Sequence, residues 1–440
     1  MSARETGGSG GVEQAERAVI RKATLRLVPF LMLCYFFAML DRSNIGIASL
    51  QMNARLGLST AAYGLGGSLF FIAYFLFEVP SNLALERFGA RRWLGRIMIT
   101  WGVVCVALAF TRGPWSFYVL RFLLGATEAG FFPGLILYST YWYPAKYRAQ
   151  ILTAYSIANA LSSFIGSPIS AALLQADGFL GVQGWQWIFI GEGAPTVLLG
   201  LGCLWLLTDK PETAAWLTPD ERALLVSRLA AEDAGRGGEP VSLWRLFRNP
   251  YVWGLTLACS GASATLASLA VWQPQLIKGF GVSSFQTGVI NAIPYGVSLV
   301  LMMLWSMSSD RTGERRWHTA LPLLAIAAGF ASILFSTGSL AVTVALLTLI
   351  MVAYTSFKGP FWAFSSEILS PRAAAAGFAA INGTSNLGSA VVIWLVGVLK
   401  VKTGTLSASM TPLIVLSLLG AATVLLMRRP GPRPAPAAAE

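Results

Sequence analysis

Apolar residues in this chain come in long blocks, not singly and not in alternation, and about a dozen blocks reach ~20 residues, enough to cross a bilayer as a helix. A segment in lipid must satisfy its backbone internally, so such blocks fold as helices. The predicted helices lie at roughly 25–48, 62–85, 93–111, 115–139, 150–173, 186–207, 250–273, 285–308, 318–337, 339–361, 374–398 and 406–427. The two closest pairs turn at Gly113-Pro114 and at Gly338-Ser339. Composition agrees: 55% of the 440 residues are hydrophobic and 12% are charged. A soluble domain carries about 25% charged residues, so this chain has too little polar side chain to coat a water-facing enzyme of its size. Blocks in place of alternation exclude an outer-membrane barrel. The expected fold class is all-α integral membrane, with about twelve transmembrane helices.

The 32 basic residues set the orientation. With the N-terminus inside, 24 of them fall in cytoplasmic segments and five (Arg55, Arg112, Lys278, Lys400 and Lys402) fall outside. Arg42, Arg121 and Lys358 remain at membrane depth. That bias predicts both termini in the cytoplasm. It also accounts for the net charge of +12 without nucleic acid as a partner. The opening 20 residues are polar and carry no cleavable-signal pattern. Cys34, Cys105, Cys203 and Cys259 lie inside apolar blocks without metal-ligand spacing and read as small buried hydrophobes.

Glu86-Arg87-Phe88-Gly89-Ala90-Arg91-Arg92-Trp93 returns 224 residues later as Asp310-Arg311-Thr312-Gly313-Glu314-Arg315-Arg316-Trp317. That offset lays the first six helices on the last six. The expected organisation is a cytoplasmic tail (1–24), a six-helix bundle (25–207), a cytoplasmic linker (208–249), a second six-helix bundle (250–428) and a disordered Pro-rich tail (429–440), with the substrate site at the interface between repeats. In the linker, Thr218-Pro219-Asp220-Glu221 is a capping box with Pro at the first helical position, so a short amphipathic helix should follow over 223–231. In each repeated loop the glycine permits a tight reversal and the arginines hold the loop in the cytoplasm. The acid can sit at a helix N-terminus or pair with a base. Glu86, Arg87, Gly89 and Arg91, with Asp310, Arg311, Gly313 and Arg315, are therefore the candidate gating residues.

The repeated loop resembles the one found in the major facilitator superfamily between helices 2 and 3 and between 8 and 9. More narrowly, the chain resembles the anion:cation symporter family. Leu40-Asp41-Arg42-Ser43-Asn44-Ile45-Gly46, Phe77-Glu78-Val79-Pro80-Ser81-Asn82, and Arg121 through Glu128-Ala129-Gly130-Phe131-Phe132-Pro133-Gly134 carry that resemblance. Gly359-Pro360-Phe361-Trp362, Ala373 to Gly377 and Asn386-Leu387-Gly388 extend it over roughly residues 20 to 428. Within the family it looks most like bacterial permeases for tartrate, hydroxyphenylacetate, phthalate or nicotinate-type acids. The resemblance implies two pseudo-symmetric bundles in a bacterial-type inner membrane, working by alternating access to take up a small organic carboxylate with protons. It also implies proton coupling at Asp41 and Glu128, and anion binding or gating at Arg42 and Arg121.

An ionisable group in the bilayer costs at least ~2.5–3.5 kcal/mol, so each one needs a reason. Arg121 and Glu128 are seven residues apart, nearly two turns, and share one helix face. A guanidinium keeps its charge and grips a carboxylate through two parallel hydrogen bonds. A buried acid changes protonation as its partners change. An ionised acid would neutralise an arginine, and protonating it would release that arginine to an incoming carboxylate, which couples proton to anion. Structural ion pairs between helices are the plain alternative. Lys358 is a third candidate cation, or a lysine snorkelling to one membrane face. Tyr74, Asn159, Asn382 and Asn386 can hydrogen-bond a substrate or a neighbouring helix. Trp272-Gln273 and Trp362 suit an aromatic wall or an interfacial anchor. Glu78, near the cytoplasmic end of its helix, and Glu192, near the outer end of its own, read as structural or gating groups. His318 reads as a solvated residue beside the basic loop.

Other classes fit less well. A phosphate-ester antiporter wants a matching arginine in the seventh helix, but the repeat places Leu266 at the Arg42 position and 250–273 holds no Arg or Lys. Gly166-Ser167-Pro168 is only a fragment of the glycine-rich motif of drug/proton antiporters. An intramembrane metalloenzyme would need a His cluster, and the chain has one His. No enzyme activity, metal or cofactor is expected; the proton is a co-substrate. The expected partners are a small organic anion, the proton and the lipid bilayer, with the chain a monomer. An organic-anion exchanger, a sodium-coupled carrier and a non-transporting membrane sensor are the alternatives.

Overall fold

The computed structural model describes residues 6–234, 248–335, 338–369 and 371–427. The Pro-rich tail from 429, and Arg4, Arg236, Arg245 and Arg428 among the basic residues, lie outside the described residues. The described chain is helical: α1 (Thr6–Arg55), α2 (Thr60–Phe88), α3 (Ala90–Leu108), α4 (Pro114–Glu128), α5 (Phe131–Trp142), α6 (Ala145–Leu174), α7 (Gly184–Leu206) and α8 (Pro219–Ala234) come first. They are followed by α9 (Pro250–Lys278), α10 (Ser284–Thr312), α11 (Arg316–Phe335), α12 (Leu340–Ile368), α13 (Pro371–Thr403), α14 (Leu406–Ser409) and α15 (Thr411–Leu426). Among the described residues, 11 stretches are long and apolar enough to cross a membrane, with α4–α5 and α14–α15 each forming one stretch. The remaining expected span is α3, 19 residues long, whose start carries Arg91, Arg92 and Arg96; that charge keeps it out of the set.

Two spans depart from expectation. The first helix does not start near residue 25 but runs back to Thr6. Charge ties its extension down: buried Glu16 takes Lys146 Nζ at 2.8 Å and Arg228 Nε at 3.2 Å. The fourth span is broken, because α4 ends at Glu128 and α5 begins at Phe131. The cause is Pro133, which in an unbroken helix would clash with the carbonyl of Ala129. In the first turn of α5 it displaces no hydrogen bond. Gly130 makes the break with φ 87° and ψ −3°, a left-handed conformation that suits glycine. A Cβ there would also lie 2.4 Å from Ser81 Oγ.

Packing divides the chain into two units, Met1–Met52 with Ala73–Gly238, and Asn53–Ile72 with Glu239–Glu440. Inside the first, α3 and α7 meet along a glycine seam. A Cβ on Gly102 would sit 2.8 Å from the Val197 nitrogen and 2.9 Å from the Gly193 oxygen. Without side chains at the crossing the backbones approach closely, as at many helix contacts in lipid. The α8 helix belongs to this unit. Both capping-box bonds form, Thr218 N–H to Glu221 Oε2 at 2.9 Å and Glu221 N–H to Thr218 Oγ1 at 3.3 Å. Lys22 Nζ lies 2.7 Å from Glu221, and Arg148 lies 3.1 Å from Glu232. The Lys22 ammonium and the Thr218 bonds hold the Glu221 carboxyl below its ordinary range.

In the second unit α9 is the most enclosed span, 72% buried over its apolar window. The opening residues of α2 pack here: Tyr63 Oη donates to Val271 O at 3.1 Å, and Ser68 Oγ donates to Ala390 O at 2.8 Å.

Candidate functional site

Asp41 and Arg42 are consecutive in α1, so their side chains diverge by about 100°. Each finds its own partners. Arg42 Nε donates to Glu128 Oε1, and its guanidinium lies over the Tyr74 ring, 4.7 Å from the centroid. The Arg42 side chain is 27% exposed and that of Glu128 is 1% exposed. Glu128 is the last residue of α4, immediately before the break, and Arg121 lies two turns back on the same helix, also buried. The charge of Arg121 reaches Glu128, and half-buried Glu78 lies close enough to act on Arg42. Four predicted residues from three elements thus converge: Arg42 (α1), Tyr74 (α2), and Arg121 and Glu128 (α4). An arginine that is paired, partly exposed and backed by an aromatic face can exchange one carboxylate partner for another.

Asp41 points the other way and is fully buried. Its Oδ2 accepts from Thr196 Oγ1 at 3.0 Å. Its Oδ1 lies 3.5 Å from both Asn44 Nδ2 and Cys105 Sγ. The α3–α7 seam brings Cys105 and Thr196 to this point. The same seam brings Glu192, buried, whose Oε1 accepts from Ser170 Oγ at 2.6 Å. Glu192 is therefore part of the Asp41 cluster and not a group at a helix mouth. In the sequence, Asn44 stands only as part of the resembling helix 1 motif and Cys105 as a small buried hydrophobe, and neither Ser170 nor Thr196 is singled out. A lone acid in the apolar run of α7 was the available signal. Its partner is 151 positions away, and only packing joins them.

In the second unit, Lys358 is exposed, with Nζ 5.0 Å from the Tyr354 ring centroid. Asn382 and Asn386 are half-buried on α13, flanking Ser385, which donates to Cys259 Sγ at 3.3 Å. Asn159 is half-buried on α6 in the first unit. Trp272 is fully buried, its ring edge-on to Tyr63 at 5.2 Å, so it is no interfacial anchor. Trp362 packs with Phe361 and Phe378. An apolar groove of about 360 Å³ beside α13 and α15, lined by residues such as Leu399 and Val415, holds no charged group and offers a carboxylate nothing.

The repeated loops are built alike and capped differently. Gly89 and Gly313 both take positive φ, 87° and 64°. In the first loop Asp209, not Glu86, caps α3, accepting from Arg91 N–H at 2.8 Å. In the second, Arg315 pairs with Asp310 at 2.6 Å, and Glu314 caps α11 through Trp317 N–H at 2.8 Å. Those backbone donors and His318 hold the Glu314 carboxyl below its ordinary range against its partial burial. Arg87 lies against Phe88, and Arg311 is exposed. His318 is not a solvated residue: its ring lies tilted against Trp305, centroids 5.0 Å apart, and its Nδ1 lies 3.2 Å from Glu314.

The described residues thus combine 11 candidate membrane spans with a part-buried Arg42–Glu128 pair. The model of the Major Facilitator Superfamily matches residues 31–393, and the chain belongs to that superfamily of membrane transporters. Two Agrobacterium vitis proteins named for tartrate transport are each 47% identical, over 95% of this chain and 93% and 96% of their own lengths. The metabolite transport protein NicT of Pseudomonas putida is 41% identical over 91% of this chain and 92% of its own. Among solved structures, a D-xylose–proton symporter superposes with a TM-score of 0.74 at 16% identity, covering 91% of this chain and 97% of that one. A bacterial homologue of the lysosomal transporter Spinster gives 0.72 at 18% identity, covering 91% and 96%. At those identities the two structures speak for the fold alone.

Proposed function

We propose that this chain takes up a small organic carboxylate with protons by alternating access, with a hydroxy-dicarboxylate of the tartrate type as the first candidate. The Arg42–Glu128 pair carries this reading. Protonating Glu128 removes the counterion of Arg42, and the substrate carboxylate replaces it. Arg121 supplies the second positive charge that a dicarboxylate needs, and Tyr74 keeps the Arg42 guanidinium in place through its ring face. Binding of anion and of proton then favour each other, which is symport stated as a coupling free energy. The tartrate-named relatives support the substrate class. An Escherichia coli relative at 36% identity, named as the inner membrane transport protein RhmT, supports an inner-membrane location. The bias of basic residues supports cytoplasmic termini.

The test is uptake by the purified full chain in proteoliposomes, with tartrate, other dicarboxylates and aromatic monocarboxylates offered under an imposed pH gradient. Accumulation driven by an acidic exterior is the expected result. Exchange without response to the gradient makes the chain an exchanger, uptake that follows sodium makes it a sodium-coupled carrier, and either refutes proton symport.

A further inference from the structure

We propose that Asp41 and Glu192 form one proton-binding site, sharing a single coupled proton beside the one that Glu128 takes up; this deepens the symport reading above, rests on it, and adds Glu192, which that reading does not use. The grounds are a shortage of donors. Both carboxyls are buried in the first unit, and among the described residues no basic side chain pairs with either. The acceptors are four carboxyl oxygens and the Asn44 amide oxygen. The Trp101 indole N–H also faces Asp41; the other donors are shared, and none reaches Glu192 Oε2. Thr196 has one hydroxyl hydrogen and two takers, Asp41 Oδ2 and the Glu192 backbone oxygen, both at 3.0 Å. Ser170 likewise faces Glu192 Oε1 and Gly166 O. The Cys105 thiol, a weak donor, faces Asp41 Oδ1 and Phe189 O.

Glu192 Oε2 and Asn44 Oδ1 are left buried with no donor at all, although the Asn44 side chain abuts the Glu192 carboxyl. A buried acceptor without a donor is rare and costly. Turning the Asn44 amide over serves Glu192 but sets its oxygen against Asp41 Oδ1, so the deficit moves and does not vanish. One proton on the pair closes it in either setting. Two ionised carboxylates at membrane depth would also repel each other, with no cation to offset the burial. The charged groups nearby belong to the neighbouring centre: Glu128, whose charge reaches Asp41, with Arg42 bound to it and Arg121 behind it. Sodium suits the site less well, because the Thr196 and Ser170 hydroxyls present hydrogens to the carboxyls and the remaining neighbour is a thiol.

Infrared spectroscopy of the full chain in liposomes reads the proton without transport. At neutral pH the C=O stretching band of a protonated carboxylic acid should appear in the difference between wild type and Glu192→Gln, and again between wild type and Asp41→Asn. Because the remaining acid can keep the proton, the band can shift without vanishing; a band unchanged in both position and size in either variant overturns the sharing. In proteoliposomes, Glu192→Gln should reduce gradient-driven accumulation to equilibration, about one-fold inside over outside, while downhill exchange stays measurable. Accumulation kept at the wild-type level overturns the coupling. Should either variant fail to fold, wild type still decides: its band must fade over the pH interval in which gradient-driven uptake declines, and a band indifferent to pH refutes the idea, as does sodium-dependent uptake at clamped pH. If no acid is transported at all, the proposed function fails while the infrared comparison still stands.

Discussion

Breaking the Arg42–Glu128 pair one side at a time should give unequal results that do not add. Glu128→Gln keeps the side-chain shape and removes its charge, leaving Arg42 at membrane depth with the Tyr74 ring, the more distant Glu78 charge and whatever water its 27% exposure admits. An ion there that loses its bonded counterion costs about 2.5–3.5 kcal/mol. The cation–π contact and partial exposure offset about 1 kcal/mol of that, so a destabilisation of about 2 kcal/mol is expected. Arg42→Gln leaves a carboxyl that is 1% exposed, which can take up a proton and escape most of the penalty, so about 1 kcal/mol is expected. The double variant holds neither ion and should lie within about 1 kcal/mol of wild type. The coupling is then about 2 kcal/mol, inside the range for residues in contact. Equilibrium unfolding of the purified chain in mixed detergent–SDS micelles, followed by tryptophan fluorescence, measures all four proteins. Single effects that sum to the double within about 0.5 kcal/mol would refute the pair as the electrostatic centre. In transport, Glu128→Gln should lose gradient-driven accumulation, and a variant that still concentrates substrate removes Glu128 from the coupling mechanism.

Gly102→Ala should destabilise the chain by about 1–3 kcal/mol, because its Cβ meets backbone atoms at 2.8 and 2.9 Å that cannot turn aside; thermal melting measures it, and an unchanged melt denies the seam. Arg121→Gln should weaken a dicarboxylate by roughly 10–100-fold, the worth of one charge-assisted hydrogen bond, and a monocarboxylate far less; equal losses in competition assays would separate Arg121 from the second carboxylate. The Glu221 carboxyl is lowered by Lys22, so its contribution to docking α8 is present above the ordinary carboxylate range and lost as pH falls through the lowered one. Protection of the α8 amides, measured against their intrinsic exchange rates, should therefore hold at about pH 5 and fall below about pH 4, and protection already lost near neutrality contradicts the tie.

The spans were legible because hydropathy acts over ~20 residues and needs no partner. The capping box at Thr218 was legible for the same reason: its two bonds close within four residues. Arg42, Arg121 and Glu128 were found because charge at membrane depth is conspicuous in any apolar run. What sequence could not supply is which acid meets which base. Asp41 and Arg42 are adjacent in the chain, yet one faces Thr196 and the other Glu128. The break after Glu128 was also readable in principle, since Pro133 stands four residues after Ala129, but inside an unbroken apolar run its effect is easily taken for a kink. The repeat marks Glu86 as the acid of the first loop, whereas the cap of α3 is Asp209, just past the end of α7 and 118 residues beyond Arg91.

The two acidic centres differ in how their charge is met, and that difference suits a carrier. Glu128 has a basic partner in Arg42: on the proposed uptake of a carboxylate with protons, what replaces it there is itself an anion, so the charge in lipid stays constant as the substrate enters and Glu128 takes a proton. Asp41 and Glu192 lack such a partner and can be neutralised only by a proton. Because Asp41 and Arg42 occupy consecutive positions on α1, any rotation of that turn moves both centres together. A rotation of that turn that carries Arg42 toward a substrate would drag Asp41 against Thr196 and Cys105. On the proposed reading that shared turn of helix is the mechanical link between anion and proton, and the glycine seam behind it, which fixes Cys105 and Thr196, is what the turn moves against.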